Sequence, residues 1–309
     1  MKKQLNDDKG RFVRAVSDFR HWISDAPEAT YQPESGRYHL YVSYACPWAH
    51  RTLITRSLLG LTDVIGISVV DPFLDQRGWF FSDAEDCIPD TVNHTTFLRE
   101  IYNLHTSNYK GRVTVPVLWD KKTKTIVNNE SREIIRQLNT AFGSLINGKH
   151  TLFSDTLKSS IEATLDAIYE PINNGVYKCG FATTQFAYEE SFDRLFSALD
   201  EIEKRLDSQR YLCGEHLTEA DICLFTTLFR FDLVYHTHFK CNLRHIFDYA
   251  NLWNFVKDIY QMPGVRETCH PGHIKNHYFN SHRGINPYGI VPKGPRINFS
   301  EPHNRDRFS

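Results

Sequence analysis

The hydrophobic pattern of this chain changes its period once, and that change limits its fold more than any other feature. From Arg37 to about Phe142 short β-prone runs and amphipathic helical stretches alternate; from about Leu145 the pattern is almost wholly helical. Residues 38–43 form a β-prone run that halts at Cys46-Pro47. Leu53, Ile54, Leu58 and Leu61 then recur at helical spacing, and Gly60 marks the stop. Residues 64–70 and 114–119 read as further strands, and 124–127 as a fourth after a polar turn. Asn128-Asn129-Glu130-Ser131 leads into a helix carrying Ile134, Ile135 and Leu138.

The order βαβ, insertion, ββα predicts a thioredoxin-like domain over 37–142, preceded by an extension at 1–36. The insertion, 72–112, is longer than a common connection and should fold in its own right. Residues 145–285 predict an all-helical domain, so the fold class is α/β followed by all-α. Ile161, Leu165 and Ile168 share one face, and Phe192 to Leu206 carry another. Thr218 reads as a helix N-cap with Asp221 three positions on, a shortened capping box. Leu252, Phe255, Val256 and Ile259 mark a last amphipathic helix. The tail, 286–309, is rich in Pro, Gly and Asn and reads as extended.

The length of 309 residues suits two domains. Thirty-six basic against 37 acidic residues leave a net charge of -1, which gives no basic footprint for nucleic acid. No run approaches 18 apolar residues, so no membrane helix is expected. The charged start lacks the apolar core of a signal peptide, and the last three residues do not match the peroxisomal tripeptide. Seven cysteines, irregularly spaced and without a CxxC, argue against a disulfide framework. The expected address is the reducing cytoplasm.

Cys46 lies where a strand ends and a helix begins. The unpaired N–H groups and positive dipole end of a helix N-terminus favour a thiolate there, and Pro47 suits the first turn. The fourth position of that turn is Ala49, so no local disulfide can form and the resolving thiol must come from outside; glutathione is the obvious cytosolic source. The competing reading is a buried structural cysteine. Val115-Pro116 opens a predicted strand, where proline is confined to starts, edges and bulges; a cis bond would turn the Val115 backbone toward an extended peptide, and an ordinary edge proline is the alternative. Glu130-Ser131 opens the next helix and can seat a carboxylate or simply cap the helix. In a thioredoxin-like fold these three pieces form one spatial set.

With these residues in hand, the chain resembles the glutathione transferases, and most of all the glutathionyl-hydroquinone reductases, or Xi class, related to the omega-like fungal enzymes. The resemblance runs from about Phe12 to Pro295. Residues 41–51 around Cys46, Gly78-Trp79-Phe80-Phe81, the stretch 111–118 and Asn128-Asn129-Glu130-Ser131 carry it in the first half. Residues 174–182, 230–235, 238–242, 274–278 and 285–287 carry it in the second.

The resemblance implies that Cys46 is the nucleophile. Trp79 and Arg112 would flank glutathione, Val115 and Pro116 would bind its cysteinyl backbone, and Glu130 and Ser131 its γ-glutamyl end. Tyr177, Tyr235 and Tyr278 would line the site for a hydroquinone ring, with Tyr177 or Tyr278 donating a proton. The implied partners are glutathione as co-substrate, a glutathionylated hydroquinone or mixed disulfide, and a second copy in a homodimer, with no tightly bound cofactor. An omega-like transferase acting on disulfides or dehydroascorbate, or a non-catalytic binder of aromatic compounds, would share many of these features. Cys269, His270, His273, His277 and His282 cluster in sequence, with His236 and His238 upstream, but Pro271-Gly272 breaks the spacing; no metal site is expected.

Overall fold

A computed structural model describes residues 6–308. The chain divides into two compact units. One holds Ser17–Thr151 and Gly272–His277; the other holds the residues up to Val16, Leu152–Pro271, and those from Tyr278 on.

The first unit is built on a four-stranded sheet in the order β2-β1-β3-β4. Strand β1 (Tyr38–Val42) is buried along its whole length, runs parallel to β2 (Gly66–Val69) and antiparallel to β3 (Val117–Asp120). The last strand, β4 (Thr125–Asn128), pairs antiparallel with β3 through an irregularity at Leu118/Trp119. Helices α1 (Pro47–Leu58) and α3 (Ser131–Thr140) pack together, the arrangement expected of a thioredoxin-like fold. Strand β3 starts three residues later than its hydrophobic run suggests. Pro116 has no N–H to give to a ladder, and the Val115-Pro116 bond is cis.

The insertion is ordered. Its helix α2 (Leu98–His105) buries Leu98, Ile101 and Tyr102. Its loop is tied by Asp90, whose carboxylate accepts from the backbone of Val92, Asn93 and Thr95 and from the Tyr41 hydroxyl at 2.9–3.1 Å. The chain from Ser17 to β1 is also part of this unit. His21 N–H donates to the Val127 carbonyl and Asn129 N–H to that of Phe19, both at 3.0 Å, so the segment covers the β4 edge that would otherwise stay open.

The second unit is helical: α4 (Lys158–Ile168), α5 (Gly175–Gly180), α6 (Gln185–Arg205), α7 (Glu219–Arg230), the single turn α8 (His236–His238) and α9 (Ala250–Tyr260). The capping box forms as its sequence implies. The Thr218 hydroxyl and N–H both donate to Asp221 Oδ2, at 2.9 and 2.8 Å, and Leu212 N–H adds a third bond. Wide turns of five residues interrupt the helical path at Tyr169–Asn173, Phe231–Tyr235 and His277–Ser281. The tail is extended over much of its length, but its end is packed. Phe299 is buried, and Arg305 is fully buried with its guanidinium on the carbonyls of Leu206 and Arg210 at 2.8 and 2.9 Å. No helix of the described residues is long and apolar enough to cross a membrane.

Candidate active site

Cys46 stands at the N-cap of α1 with extended backbone, and Pro47 fills the first helical position. Its thiol is half-buried, and Sγ lies 3.7 Å from the Val115 carbonyl. The strand end and the Val115-Pro116 segment therefore meet, as their places in the sequence suggested. Val115 and Pro116 are buried, and Arg112 is exposed.

Glu130 is the N-cap of α3. Its carboxylate accepts from Arg132 N–H at 3.3 Å and from the Ser17 hydroxyl at 3.0 Å. The buried Ser131 hydroxyl accepts from Arg51 Nη1 at 3.3 Å, and the same guanidinium lies 4.4 Å from the ring centroid of Trp48. Arg51 thus ties the first turns of α1 and α3 together, bringing two helix N-termini to one side of the sheet, where their N–H groups favour negative charge.

Trp79 is buried and stacked on His277, with centroids 4.9 Å apart and planes at 23°. His277 Nδ1 donates to the Pro72 carbonyl at 2.8 Å, and His273 Nε2 donates to that of Glu85, also at 2.8 Å. The short helix α10 (Pro271–Asn276) and the residue after it are therefore fastened to the insertion through His273 and His277. His270 sits near the Glu267 carbonyl at 3.2 Å. These histidines hold backbone carbonyls, and no group of three or more His, Cys, Asp or Glu among the described residues could hold a metal.

In the helical unit the three tyrosines come together. The Tyr278 hydroxyl lies 2.5 Å from that of Tyr177 and 3.0 Å from that of Tyr235, so Tyr278 is the middle member of a hydroxyl chain. Burial pushes the Tyr235 and Tyr278 phenols well above their ordinary range, and the charge of the fully buried Arg230 acts in the opposite direction on both. Phe239 stacks on Tyr235 with centroids 5.5 Å apart and planes at 13°. Gly180 makes room for that ring: a Cβ there would fall 2.1 Å from it. All three tyrosines lie in or shortly after a wide turn, a form of helix irregularity common at functional sites.

Several contributors have no mark in the sequence that points to the partner they serve. Ser17 supports Glu130, His277 backs Trp79, and the Arg14 guanidinium lies 4.7 Å from the centroid of Tyr177. Each partner is far away along the chain, where periodicity and capping patterns carry no signal.

A half-buried thiol at the N-cap of the first helix of a thioredoxin-like unit, in a chain continued by an all-helical unit, defines a glutathione-transferase architecture. Residues 45–141 match the family model of the glutathione S-transferase N-terminal domain, and 185–258 that of the C-terminal domain. The glutathionyl-hydroquinone reductase of Escherichia coli (strain K12) is 51% identical over 304 residues, covering 96% of this chain and 93% of that protein. The structure of a Xi-class glutathione transferase from Natrialba magadii superposes with a TM-score of 0.93 at 50% identity, covering 95% of this chain and 90% of that one. A glutathione-bound transferase homologue from Escherichia coli K-12 gives a TM-score of 0.91 at 51% identity, covering 94% and 96%. The chain belongs to the glutathione transferases, in the Xi-class branch that includes the glutathionyl-hydroquinone reductases, and is an enzyme.

Proposed function

We propose that this enzyme reduces glutathionyl-hydroquinones to hydroquinones through a mixed disulfide on Cys46, with glutathione as co-substrate and no tightly bound cofactor. The observation that carries this reading is the Cys46 thiol at the start of α1, with Ala49 where a resolving thiol would stand. A thiolate attacks sulfur, whereas the hydroxyl of a Ser- or Tyr-type transferase mainly orients the glutathione thiol. Attack by Cys46 on the glutathionyl sulfur forms an S–S bond and breaks the bond from sulfur to ring carbon. The electron pair stays with that carbon, which takes a proton; the two sulfurs are oxidised to a disulfide as the ring is reduced. A second glutathione attacks the glutathionyl sulfur, frees the Cys46 thiolate and leaves as glutathione disulfide.

Glutathione carries both an ammonium and a carboxylate at its γ-glutamyl end. In this reading the Glu130 carboxylate takes the ammonium, and the Ser131 end of α3 takes the carboxylate. Val115 pairs with the cysteinyl backbone beside Pro116, Arg112 presents its planar fork to the remaining carboxylate, and Trp79 supplies an apolar wall. Tyr177, Tyr235 and Tyr278 receive the hydroquinone ring, with Tyr177 or Tyr278 as proton donor. The working form is a homodimer in the reducing cytoplasm, checked by light scattering of the purified protein and by fractionation of its host.

The test is turnover of a glutathionyl-menadiol adduct with excess glutathione, by wild type and Cys46→Ser. Release of the hydroquinone that disappears in the variant, with a glutathione adduct on Cys46 by mass spectrometry when glutathione is scarce, supports the reading. Activity on small mixed disulfides alone would move the enzyme to omega-like thiol transfer. Failure on both would leave a binder.

A further inference from the structure

We propose that Arg14, carried by the N-terminal strap, is a positioning residue for the tyrosine that protonates the leaving ring, which makes the strap part of the aromatic site. This inference rests on the reductase reading above.

The strap belongs to the helical unit and is held there at several points. Asn6 Nδ2 donates to the Phe181 carbonyl at 2.9 Å, and Thr183 N–H donates to that of Gly10 at 3.0 Å. Arg11 pairs with Glu190 at 2.7 Å, and the buried Phe12 ring sits 5.5 Å from that of Phe181. These ties place Arg14 on two parts of one element. Its Nε donates to Oδ1 of Asn174 at 2.8 Å, and its guanidinium carbon lies 4.7 Å from the centroid of Tyr177. Asn174 is itself buried and stands at the start of α5, three residues before Tyr177. One side chain therefore grips both the start of the helix and the face of the ring that helix presents.

The chemistry needs such a group. When the carbon–sulfur bond breaks, the ring carbon takes its proton from a tyrosine hydroxyl, which leaves a phenolate. That phenolate is shared along the chain Tyr177, Tyr278, Tyr235 through its short O···O contacts. It regains a proton from solvent, which has received the one lost by the second glutathione. Phenolate charge spreads over the ring, so a guanidinium on the ring face stabilises the anion more than the neutral phenol. Arg230 contributes from the buried side; Arg14 supplies the second positive charge at the Tyr177 end of the chain.

The test compares wild type, Arg14→Lys and Arg14→Gln on the glutathionyl-menadiol adduct and on a small glutathionyl disulfide, whose reduction protonates no carbon. In Arg14→Gln, kcat on the adduct should fall about tenfold relative to that on the disulfide, the size of a desolvated cation–π contact. KM for the adduct should move far less, and Arg14→Lys should recover most of the loss. Equal kcat in wild type and Arg14→Gln overturns the inference and leaves the reductase reading standing. So does a parallel fall on both substrates with no rescue by lysine, which is what a merely structural residue would give. A wild type that turns over the disulfide and not the adduct overturns the reductase reading, and this inference with it.

Discussion

The thiol side and the aromatic side of this enzyme are built by opposite means. In the thioredoxin-like unit the candidate groups are backbone ends and the residues that cap them: Cys46 at the N-cap of α1, the Val115 carbonyl before β3, and Glu130 at the N-cap of α3. Each is placed by its own short stretch of chain. In the helical unit Tyr177, Tyr235 and Tyr278 come from three separated stretches and meet only through their hydroxyls. A site built on element ends carries its geometry in the backbone, and one side chain supplies the reactivity. A site built from distant side chains carries its geometry in the contacts themselves. The first should therefore fail at one residue, and the second should fail in proportion to the number of contacts removed.

The largest expected effect is at Cys46. Cys46→Ser should cost on the order of a thousandfold or more in kcat on the glutathionyl-hydroquinone, with the urea midpoint close to wild type. Residual turnover near the wild-type rate would show that chemistry does not pass through this thiol and would dissolve the contrast. Next comes the middle of the hydroxyl chain. Tyr278→Phe should lower kcat about a hundredfold, within the range for a positioned proton donor. Tyr235→Phe should cost less, because Tyr235 has one hydroxyl neighbour in the chain and Tyr278 has two. Equal losses in both variants would break the argument that contacts set the effect. A smaller change belongs to the anion seat. Glu130→Gln should raise KM for glutathione about tenfold, the scale of one charge-assisted hydrogen bond, while kcat at saturating glutathione falls much less.

The same contrast explains what could be read from the sequence. Cys46-Pro47, Thr218 with Asp221, and Glu130-Ser131 are local punctuation, and each takes the place in the structure that its neighbours implied. Strand β3 begins at Val117 because a proline without an N–H overrides the β propensity of Thr114 and Val115. Arg14 and Ser17 carried no signal as site residues, and His277 stood out only in a Cys/His cluster that suggested a metal, not as the partner of Trp79. Their partners Asn174, Glu130 and Trp79 lie more than a hundred positions away, as with the 160 residues between Arg14 and Asn174 and the 113 between Ser17 and Glu130. The extension at 1–36 carries no strong periodicity, yet one part covers the β4 edge and another straps the helical unit. The tyrosines stood out through family resemblance; the side-chain periodicity of their helices marks them as ordinary core.

One buried group in each unit should also respond to acid, with opposite signs, and this is the mildest test of the contrast. His39, in β1, is buried with Nε2 on the Ser68 hydroxyl at 2.9 Å, and burial lowers it from 6.5 to about 4. Its folded value is depressed, so the unfolded chain takes up a proton first as pH falls, and stability is lost between about 6.5 and 4. Asp221, in the capping box, is buried despite three donors, and burial raises it from 3.8 to about 6. Here the folded chain takes the proton first, so stability is gained as pH falls from about 6 to 3.8. Each group contributes a slope of at most about 1.4 kcal/mol per pH unit, and between pH 4 and 6 they largely offset one another. Urea unfolding at pH 7 and pH 5, in wild type and in a variant of each group, separates the two contributions. In His39→Gln the same acidification should stabilise the protein relative to wild type, and in Asp221→Asn it should destabilise it. Shifts of the same sign in both variants would mean that His39 and Asp221 do not titrate in opposite senses on folding.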